Sequence, residues 1–495
     1  MNFVRAGICW AVALSMYAVA PATFAQTAAN AVSPGTGAAN RLSLQQCIEI
    51  ALKNNITIRQ GQLQVENNAL QLRQARLNQY PTANFSGSQA FNSGRNVDPF
   101  TNQAVQQNIT SSNYQLGTSV TVFNGFALKN QIKQNDLALQ ASQQELKATQ
   151  NNTSITVAQN YLNVLTGQEQ YAIAQRQAEV TQAQLDRTQR LVTAGTLPEA
   201  NLYDLRAQLA QNQVDIVNAQ NTLELAKVAL QQAMNVPIQN IEVEPINVPN
   251  PSTAPYMESV QQIYETASSF LPDVQGADLR VRSAAFGVEA AKGGLYPSLS
   301  INGNLSTVYS SAARQRFISN GQKVTVPTSY FIPLPDGTQF QVLTQTPDGS
   351  YSSFNYFEQL QNNLNESVSL FLRVPIFGNF QARNRITTAR IQQQNAELNS
   401  QNIRLQLRQQ IETAYTNMRA GANRYLATQA QVTSLERAFQ AAESRFNAGA
   451  LNATEYNIAK TNLDRARASL VQAKYDYVFR TKILDFFQNK PLTFE

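Results

Sequence analysis

Residues Phe446 to Asn489 read FNAGALNATEYNIAKTNLDRARASLVQAKYDYVFRTKILDFFQN. The stretch opens on a small-residue turn, Ala448-Gly449-Ala450-Leu451. It then places large apolar residues at every seventh position: Tyr456, Leu463, Leu470, Tyr477 and Leu484. Ala459, Ala466 and Ala473 form a second seam beside the first. A sustained seven-residue repeat predicts a helix packed along another helix in coiled-coil fashion.

The same pattern occurs earlier in the chain. Ala194-Gly195-Thr196-Leu197 is the turn, and Leu202, Leu209, Ile216, Leu223 and Leu230 are the ladder. One offset of 254 residues takes Gly195 to Gly449, Leu209 to Leu463, Phe123 to Phe377, Tyr161 to Tyr415 and Pro237 to Pro491. A single register over so long a span predicts an internal duplication. Residues 42–236 form the first repeat, 237–256 a connector with five prolines, and 257–495 the second repeat.

Met1 to Ala25 has the pattern of a secretory signal: Arg5, an apolar run from Ile8 to Val19, and Thr23-Phe24-Ala25 as cleavage site. Residues 26–41 read as a flexible leader. Cys9 has no small-residue cleavage site before it, so a lipid-modified N-terminal Cys is not expected. The mature chain then keeps only Cys47, and no intramolecular disulfide is possible.

There is no His in the chain, which disfavours imidazole proton shuttles and most zinc or iron sites. Gly-rich phosphate loops, nucleophile elbows and paired-Cys motifs are missing, so no cofactor is expected. Glu265, Glu289 and Glu412 are not paired by spacing and read as solvated helix faces. The net charge of +6 is spread among Gln and Asn, which does not suit nucleic acid. Beyond the signal there is no run of about twenty apolar residues, so a membrane crossing would have to be made by β-strands.

In chain order, Leu42 to Gln79 reads as one helix capped by Ser43, about 57 Å long. Tyr80-Pro81 ends it. The period then changes to two: Ala83, Phe85, Gly87, Gln89 and Phe91 share one face. A polar loop over 93–110 leads to a return strand with Tyr114, Leu116, Thr118, Val120 and Val122 on one face. The second repeat has Tyr296-Pro297 as its corner, then Leu299, Ile301, Gly303 and Leu305, and a return strand with Val368, Leu370, Leu372, Val374 and Ile376. The corners are offset by 216 and the return strands by 254, so about 38 extra residues fall within 307–363, read as a long surface loop. After each hairpin a helix of about 100 Å runs to the turn, from near Asn124-Gly125 to Thr193 and from near Gly378-Asn379 to Asn447, with Asn124 and Asn379 as N-caps. A short amphipathic helix is expected over 257–270, with helix again from 273 to 294.

Strands with one apolar and one polar face, about ten residues or more long, suit a tilted crossing of a bilayer. Four strands cannot close, and an open edge in lipid leaves backbone groups unpaired at several kcal/mol each. Closure asks for about eight strands or more: a dimer, a trimer or a larger assembly. A soluble sheet with one wet face is the alternative reading of the strands.

Thr121-Val122-Phe123-Asn124-Gly125, Val374-Pro375-Ile376-Phe377-Gly378-Asn379, the two Tyr-Pro corners and the two Ala-Gly-x-Leu turns together resemble the outer-membrane efflux protein family, the TolC type. The resemblance covers about residues 42 to 490. It implies a mainly α protein with a membrane β-barrel part: four strands per chain in a shared 12-stranded barrel, continued by a long coiled-coil helical barrel. It also implies a homotrimer in the outer membrane of a Gram-negative bacterium, in contact with outer-membrane lipid and reaching into the periplasm. Its partners would be a periplasmic adaptor (membrane fusion) protein and, through it, an inner-membrane pump. The implied activity is passive export, in a tripartite efflux or type I secretion system, and not enzymatic catalysis. A periplasmic coiled-coil scaffold without a pore is the competing account, and a carboxylate-based hydrolase a weaker one.

The resemblance also assigns residues. Ala194, Gly195, Leu197, Ala448, Gly449 and Leu451 would form the periplasmic tips where the adaptor docks, with Leu197 and Leu451 exposed. The family's gate uses acids six and nine positions after the second-tip Gly; here these are Glu455 and Ile458, and the Arg expected two positions after it is Leu451. In the first tip, Asn201 and Asp204 hold the corresponding places. Tyr80, Phe123, Tyr296 and Phe377 stand at strand–helix junctions, where an aromatic girdle would meet the membrane surface. Each has a plain structural alternative: a helix cap at the Gly, a dipole-stabilised Glu at a helix start, core packing at the junctions.

Overall fold

The computed structural model describes residues 41–97, 102, 104–106, 108–237, 241–245, 256, 258–313, 315–335 and 337–490. The signal (1–25), nearly all of the leader (26–41) and most of the Pro-rich connector (237–256) lie outside the described residues. Residues 42–239 and 243–495 cluster as one compact unit. Of the second unit, Arg41 and Glu242 are described, and they form a 3.5 Å ion pair.

The first repeat begins with α1 (Leu44–Asn54) and α2 (Ile56–Leu77). Ser43 caps α1 in a reciprocal pair with Gln46. The single helix expected over 42–79 is broken at Asn55. Its backbone turns to φ −64°, ψ 128°, its N–H closes α1 on the Ala51 carbonyl, and its side-chain oxygen accepts from Thr57 N–H at 2.9 Å. One Asn thus ends one helix and caps the next.

Next come β1 (Thr82–Asn92), β2 (Arg95–Val97), β3 (Ala104–Gln106), β4 (Ile109–Asn124), α3 (Ala127–Thr193) and α4 (Ala200–Met234). The stretch read as a plain loop over 93–110 carries the small β2–β3 ladder. The second repeat follows the same order with α5 (Val260–Phe270), α6 (Pro272–Lys292) and β5 (Ser298–Ser310). The stretch over 307–363 is more than a surface loop. It holds a long hairpin, β6 (Gln315–Pro333) and β7 (Gln339–Ser353), and the helix α7 (Tyr356–Asn362). Two register shifts in β6 break its alternation, which is why its sequence does not read as a strand. Then come β8 (Asn365–Arg373), α8 (Gln381–Asn447) and α9 (Ala453–Phe486). β8 stops at Arg373, so Val374 and Ile376 stand beyond the strand they were expected to extend.

Four strands form one antiparallel sheet in the order β8-β5-β4-β1. The register places Phe85, Leu116 and Leu305 in one row, which Glu366 of β8 completes. It places Val120, Ile301 and Leu370 in another row of the same face. The opposite face gathers Asn84, Gly117, Asn304 and Ser367, and Thr82, Ser119, Asn302 and Ser369. Amides and hydroxyls bond one another there: Gln115 Nε2 donates to Asn304 Oδ1 and Ser119 Oγ to Asn302 Oδ1, both at 2.8 Å. β1 and β8 are exposed along their whole length.

The helices pack in a matching row, α2 on α3, α3 on α6, α6 on α8. Two carboxylate bridges pin α6 between its neighbours: Arg280 to Glu145 of α3, and Arg404 of α8 to Asp278 at 2.7 Å. Beyond α6, α9 takes the place between α3 and α8, while α4 returns along α3. Most seam positions are buried, with Leu230 and Leu484 fully inside, while Leu209, Ile216, Ala459 and Leu470 are half-buried. Tyr161 is also fully buried and donates to the carbonyls of Leu42 and Glu244. Cys47 is buried too, and that burial pushes its thiol up to about 12.

The strand-to-helix turns differ from expectation. Neither Asn124 nor Asn379 is an N-cap. The caps are Phe126 and Phe380, both left-handed, at φ 63° and 59°. Each follows another left-handed residue, Gly125 (φ 64°) or Asn379 (φ 48°). A Phe in this region is strained. Edge-on packing on Phe123 and on Phe377, at 5.3 and 5.8 Å, offsets the strain. Asn124 still contributes, accepting from Leu128 N–H at 3.3 Å.

At the first turn the repeats meet backbone to backbone. A Cβ on Gly125 would stand 2.5 Å from the Gly293 carbonyl oxygen, and one on Gly293 would stand 2.6 Å from Ala127 Cβ. At Gly195 (φ 71°) a Cβ would meet open space. We therefore expect Gly125→Ala and Gly293→Ala each to destabilise by about 3 kcal/mol, and Gly195→Ala by about 1 kcal/mol. Thermal unfolding of the detergent-solubilised protein by circular dichroism checks the ranking.

Candidate functional site

Each tip is a helix end closed by a left-handed Gly. In the first, Gly195 N–H donates to Val192 O and Thr196 N–H to Leu191 O, both at 2.9 Å. In the second, Gly449 N–H donates to Phe446 O and Ala450 N–H to Arg445 O. This pair of bonds satisfies the last carbonyls of α3 and α8. Ala194, Gly195, Ala448 and Gly449 are exposed. Leu197 and Leu451, expected to be exposed, are half-buried. Among the described residues, the large apolar side chains exposed at this end include Leu191, Tyr203 and Ile458. Tyr203 was not singled out in the sequence, although it lies one residue past the first ladder position.

Glu455 sits in the first turn of α9. Asn452 caps that turn, accepting from Glu455 N–H at 2.8 Å and donating to Glu455 Oε1 at 3.1 Å. The carboxylate is thus held by its own helix start, where the dipole favours it. Asp204 is brought to the other tip: its Oδ2 accepts from the Thr454 hydroxyl at 3.4 Å. Asn201 stays half-buried on the first tip. The hairpins are also joined by Arg187 Nη1 donating to Asn447 Oδ1 at 2.9 Å.

Further from the tips lies a cluster that the sequence reading passed over. Lys460 of α9 is almost fully buried. Its ammonium donates to Thr181 Oγ1 at 2.8 Å and to Gln177 O at 3.2 Å, both on α3. Asn212 of α4 donates to the same two oxygens, at 2.7 and 3.3 Å. Three helices therefore share one set of acceptors. Desolvation lowers the Lys460 pKa from its ordinary value, with Asp464 opposing. Desolvation also raises Asp464, with Lys460, Arg467 and Gln177 opposing. The signal was a Lys on the flank of an apolar seam with an acid four residues on. The acceptors it finds, far away in sequence, could not be read from that spacing.

Tyr80, Phe123, Tyr296 and Phe377 all remain solvent-exposed in the single chain. Phe126 and Phe380 extend the set at the same junctions. Glu289 and Glu412 form exposed pairs with Lys292 and Arg408 on their own helices, and Glu265 accepts from Gln261. Among the described residues no group of His, Cys, Asp or Glu is placed to hold a metal ion. No helix among them is long and apolar enough to cross a membrane.

This architecture has counterparts among known proteins. The family model of "Outer membrane efflux protein" matches residues 47–236 and 263–481. The chain is 26% identical over 268 residues to the probable outer membrane lipoprotein SilC of Salmonella typhimurium, over 52% of this chain and 54% of SilC. It thus spans about half the length of that curated relative. Three solved structures share the fold. VceC of Vibrio cholerae has 14% identity and a TM-score of 0.68, covering 91% of this chain and 97% of its own. CusC has 19% identity and 0.67, covering 90% and 92%. The CmeC outer membrane channel of Campylobacter jejuni has 17% identity and 0.65, covering 91% and 87%.

Lys460→Ala would remove one of the two donors to the shared Thr181 and Gln177 oxygens and the cation that most opposes the raised Asp464 pKa. We expect a loss of about 1–3 kcal/mol, seen as a lower unfolding temperature, and a smaller loss for Thr181→Val, which keeps the Gln177 contact.

Proposed function

Because the chain belongs to the outer membrane efflux protein family, we propose that it is a passive export channel of a tripartite efflux or secretion system. It acts as a homotrimer with one continuous path through outer membrane and periplasm. The observation that carries the reading is the sheet register. Four strands turn most of their apolar residues to one face and most of their amides and hydroxyls to the other, with Glu366 and Gln89 on the first face and Phe371 on the second as exceptions, and no layer of the described residues covers the exposed edge strands. Apolar-out and polar-in is what lipid on one side and water on the other require.

The flanks support assembly from copies of the chain. On one flank β1 continues α2, and α2 exposes Ile56, Leu63, Leu70 and Leu77 at seven-residue spacing. On the other β8 leads into α8, which exposes Ile391, Leu398 and Leu405 at the same spacing. Each flank thus presents an open strand edge above an apolar heptad stripe. Two unlike flanks of this kind join head to tail and close into a ring. Three copies give twelve strands, wide enough for a lumen. At the far end the tips, with exposed Tyr203 and Ile458, are the surface offered to a periplasmic adaptor and, through it, to an inner-membrane pump. Three copies of Glu455 would form a carboxylate ring there, with Asp204 and Asn201 beside it. The junction aromatics would form the girdle. A hydrolase reading falls with family membership.

Purified protein in a planar bilayer should give discrete openings, and Glu455→Gln should lower cation selectivity. Protein that stays water-soluble and never conducts would favour a periplasmic scaffold instead. Leu63→Glu or Leu398→Glu should convert trimers to smaller species, read as mass by light scattering in detergent, while Tyr203→Glu leaves the mass unchanged.

A further inference from the structure

The two repeats differ at one joint. In the first, the start of α2 and the end of α4 are stitched by amides: Asn55 Nδ2 donates to Ala233 O at 3.2 Å, and Asn235 Nδ2 to Asn54 O at 3.0 Å. The 216-residue offset takes Asn55 to Leu271, which has no amide to give. There the Asn55 half of the stitch is lost, while Asn489 stands where Asn235 does with the same left-handed backbone, and a cavity of about 750 Å³ opens between α3 and α8. That volume lies within the roughly 300–1,000 Å³ typical of small-molecule sites.

Its lining is divided. Leu407, Ile483, Phe486 and Phe487 give an apolar wall, and the two Phe rings meet edge to face at 5.9 Å. Asn151 and an α8 stripe, Gln406, Gln410 and Asn417, give an amide wall. Asp273 is the single charged residue of the lining. The nearby Glu145 is already held by both arms of Arg280. Asp273 is exposed at the rim of the cavity, where partial burial, then Glu145, raise its pKa, and a cation placed beside it opposes both. The α8 stripe follows Leu405 by one residue, about 100° round the helix. A neighbouring copy covering the apolar ladder therefore leaves the amides in water.

We propose that this cavity is a binding site for organic cations with an apolar body, the charge at Asp273 and the body against Phe486 and Phe487. Aromatic faces and a carboxylate both favour a weakly hydrated cation, while the amides keep the site wet enough for release. The inference deepens the channel reading by giving the export path a wall site and a preferred cargo class; its place on that path rests on the channel reading.

The test titrates tetraphenylphosphonium into the full-length protein in zwitterionic-lipid nanodiscs, with empty discs as blank and tetraphenylborate as the anion of the same shape. Saturable binding of one cation per chain is expected, with no saturable binding of the anion. Asp273→Asn should weaken the cation about tenfold and Phe486→Ala several-fold. Asp273→Glu should restore it at an unchanged unfolding temperature. Binding that does not saturate, or that is equal in Asp273→Asn, overturns the site. Conductance of the same preparation is measured separately. A conducting protein without Asp273-dependent binding loses this inference alone, and a binding protein without conductance loses the channel reading alone.

Discussion

The backbone hydrogen bond at a sheet edge is the constraint on which the rest depends. β1 and β8 each carry a row of N–H and C=O groups with a strand on one side only. Water can satisfy such a row, but hydrocarbon cannot. Once the sheet turns an apolar face outward, the chain cannot stay single in a bilayer. Each edge strand runs into a flank helix bearing its own apolar stripe, so in the proposed ring the closing of the sheet and of the helical row would be one event.

The heptads create the long helices but do not say how they are held together. Apolar seams slide, because one Leu packs much like the next. The polar contacts fix the register: Arg280 on Glu145, Arg404 on Asp278, and Lys460 with Asn212 on the Thr181 and Gln177 oxygens. A buried ion is a weak source of net stability. Its strength here is that the ammonium meets both the Thr181 and Gln177 oxygens in one register only, since displacement by a residue would strand it.

What the sequence discloses follows from distance along the chain. The tips, seams, Tyr-Pro corners and strand faces rest on neighbours within a turn or two, so spacing alone reveals them. The family resemblance added the tip and gate assignments, which no spacing carries. The break at Asn55 was hidden because Asn is tolerated inside a helix as well as at a cap. The left-handed Phe126 and Phe380 were hidden because Phe rarely adopts that backbone and gives no sign of it. The β6–β7 hairpin was hidden by its register shifts. Lys460 was hidden because its partners lie on α3, hundreds of residues away.

The buried thiol of Cys47 has a consequence for how such a chain survives oxidation. Cys47 is fully enclosed and its proton is held up to about 12, so the folded protein presents almost no thiolate to an oxidant. Folded copies in an oxidising compartment are therefore not linked through Cys47. The vulnerable interval is the one before α1 docks on α3, when the sulfur is open to solvent. For this protein redox damage is a matter of timing: it depends on how fast the first helix finds its place, and not on how long the finished wall stands.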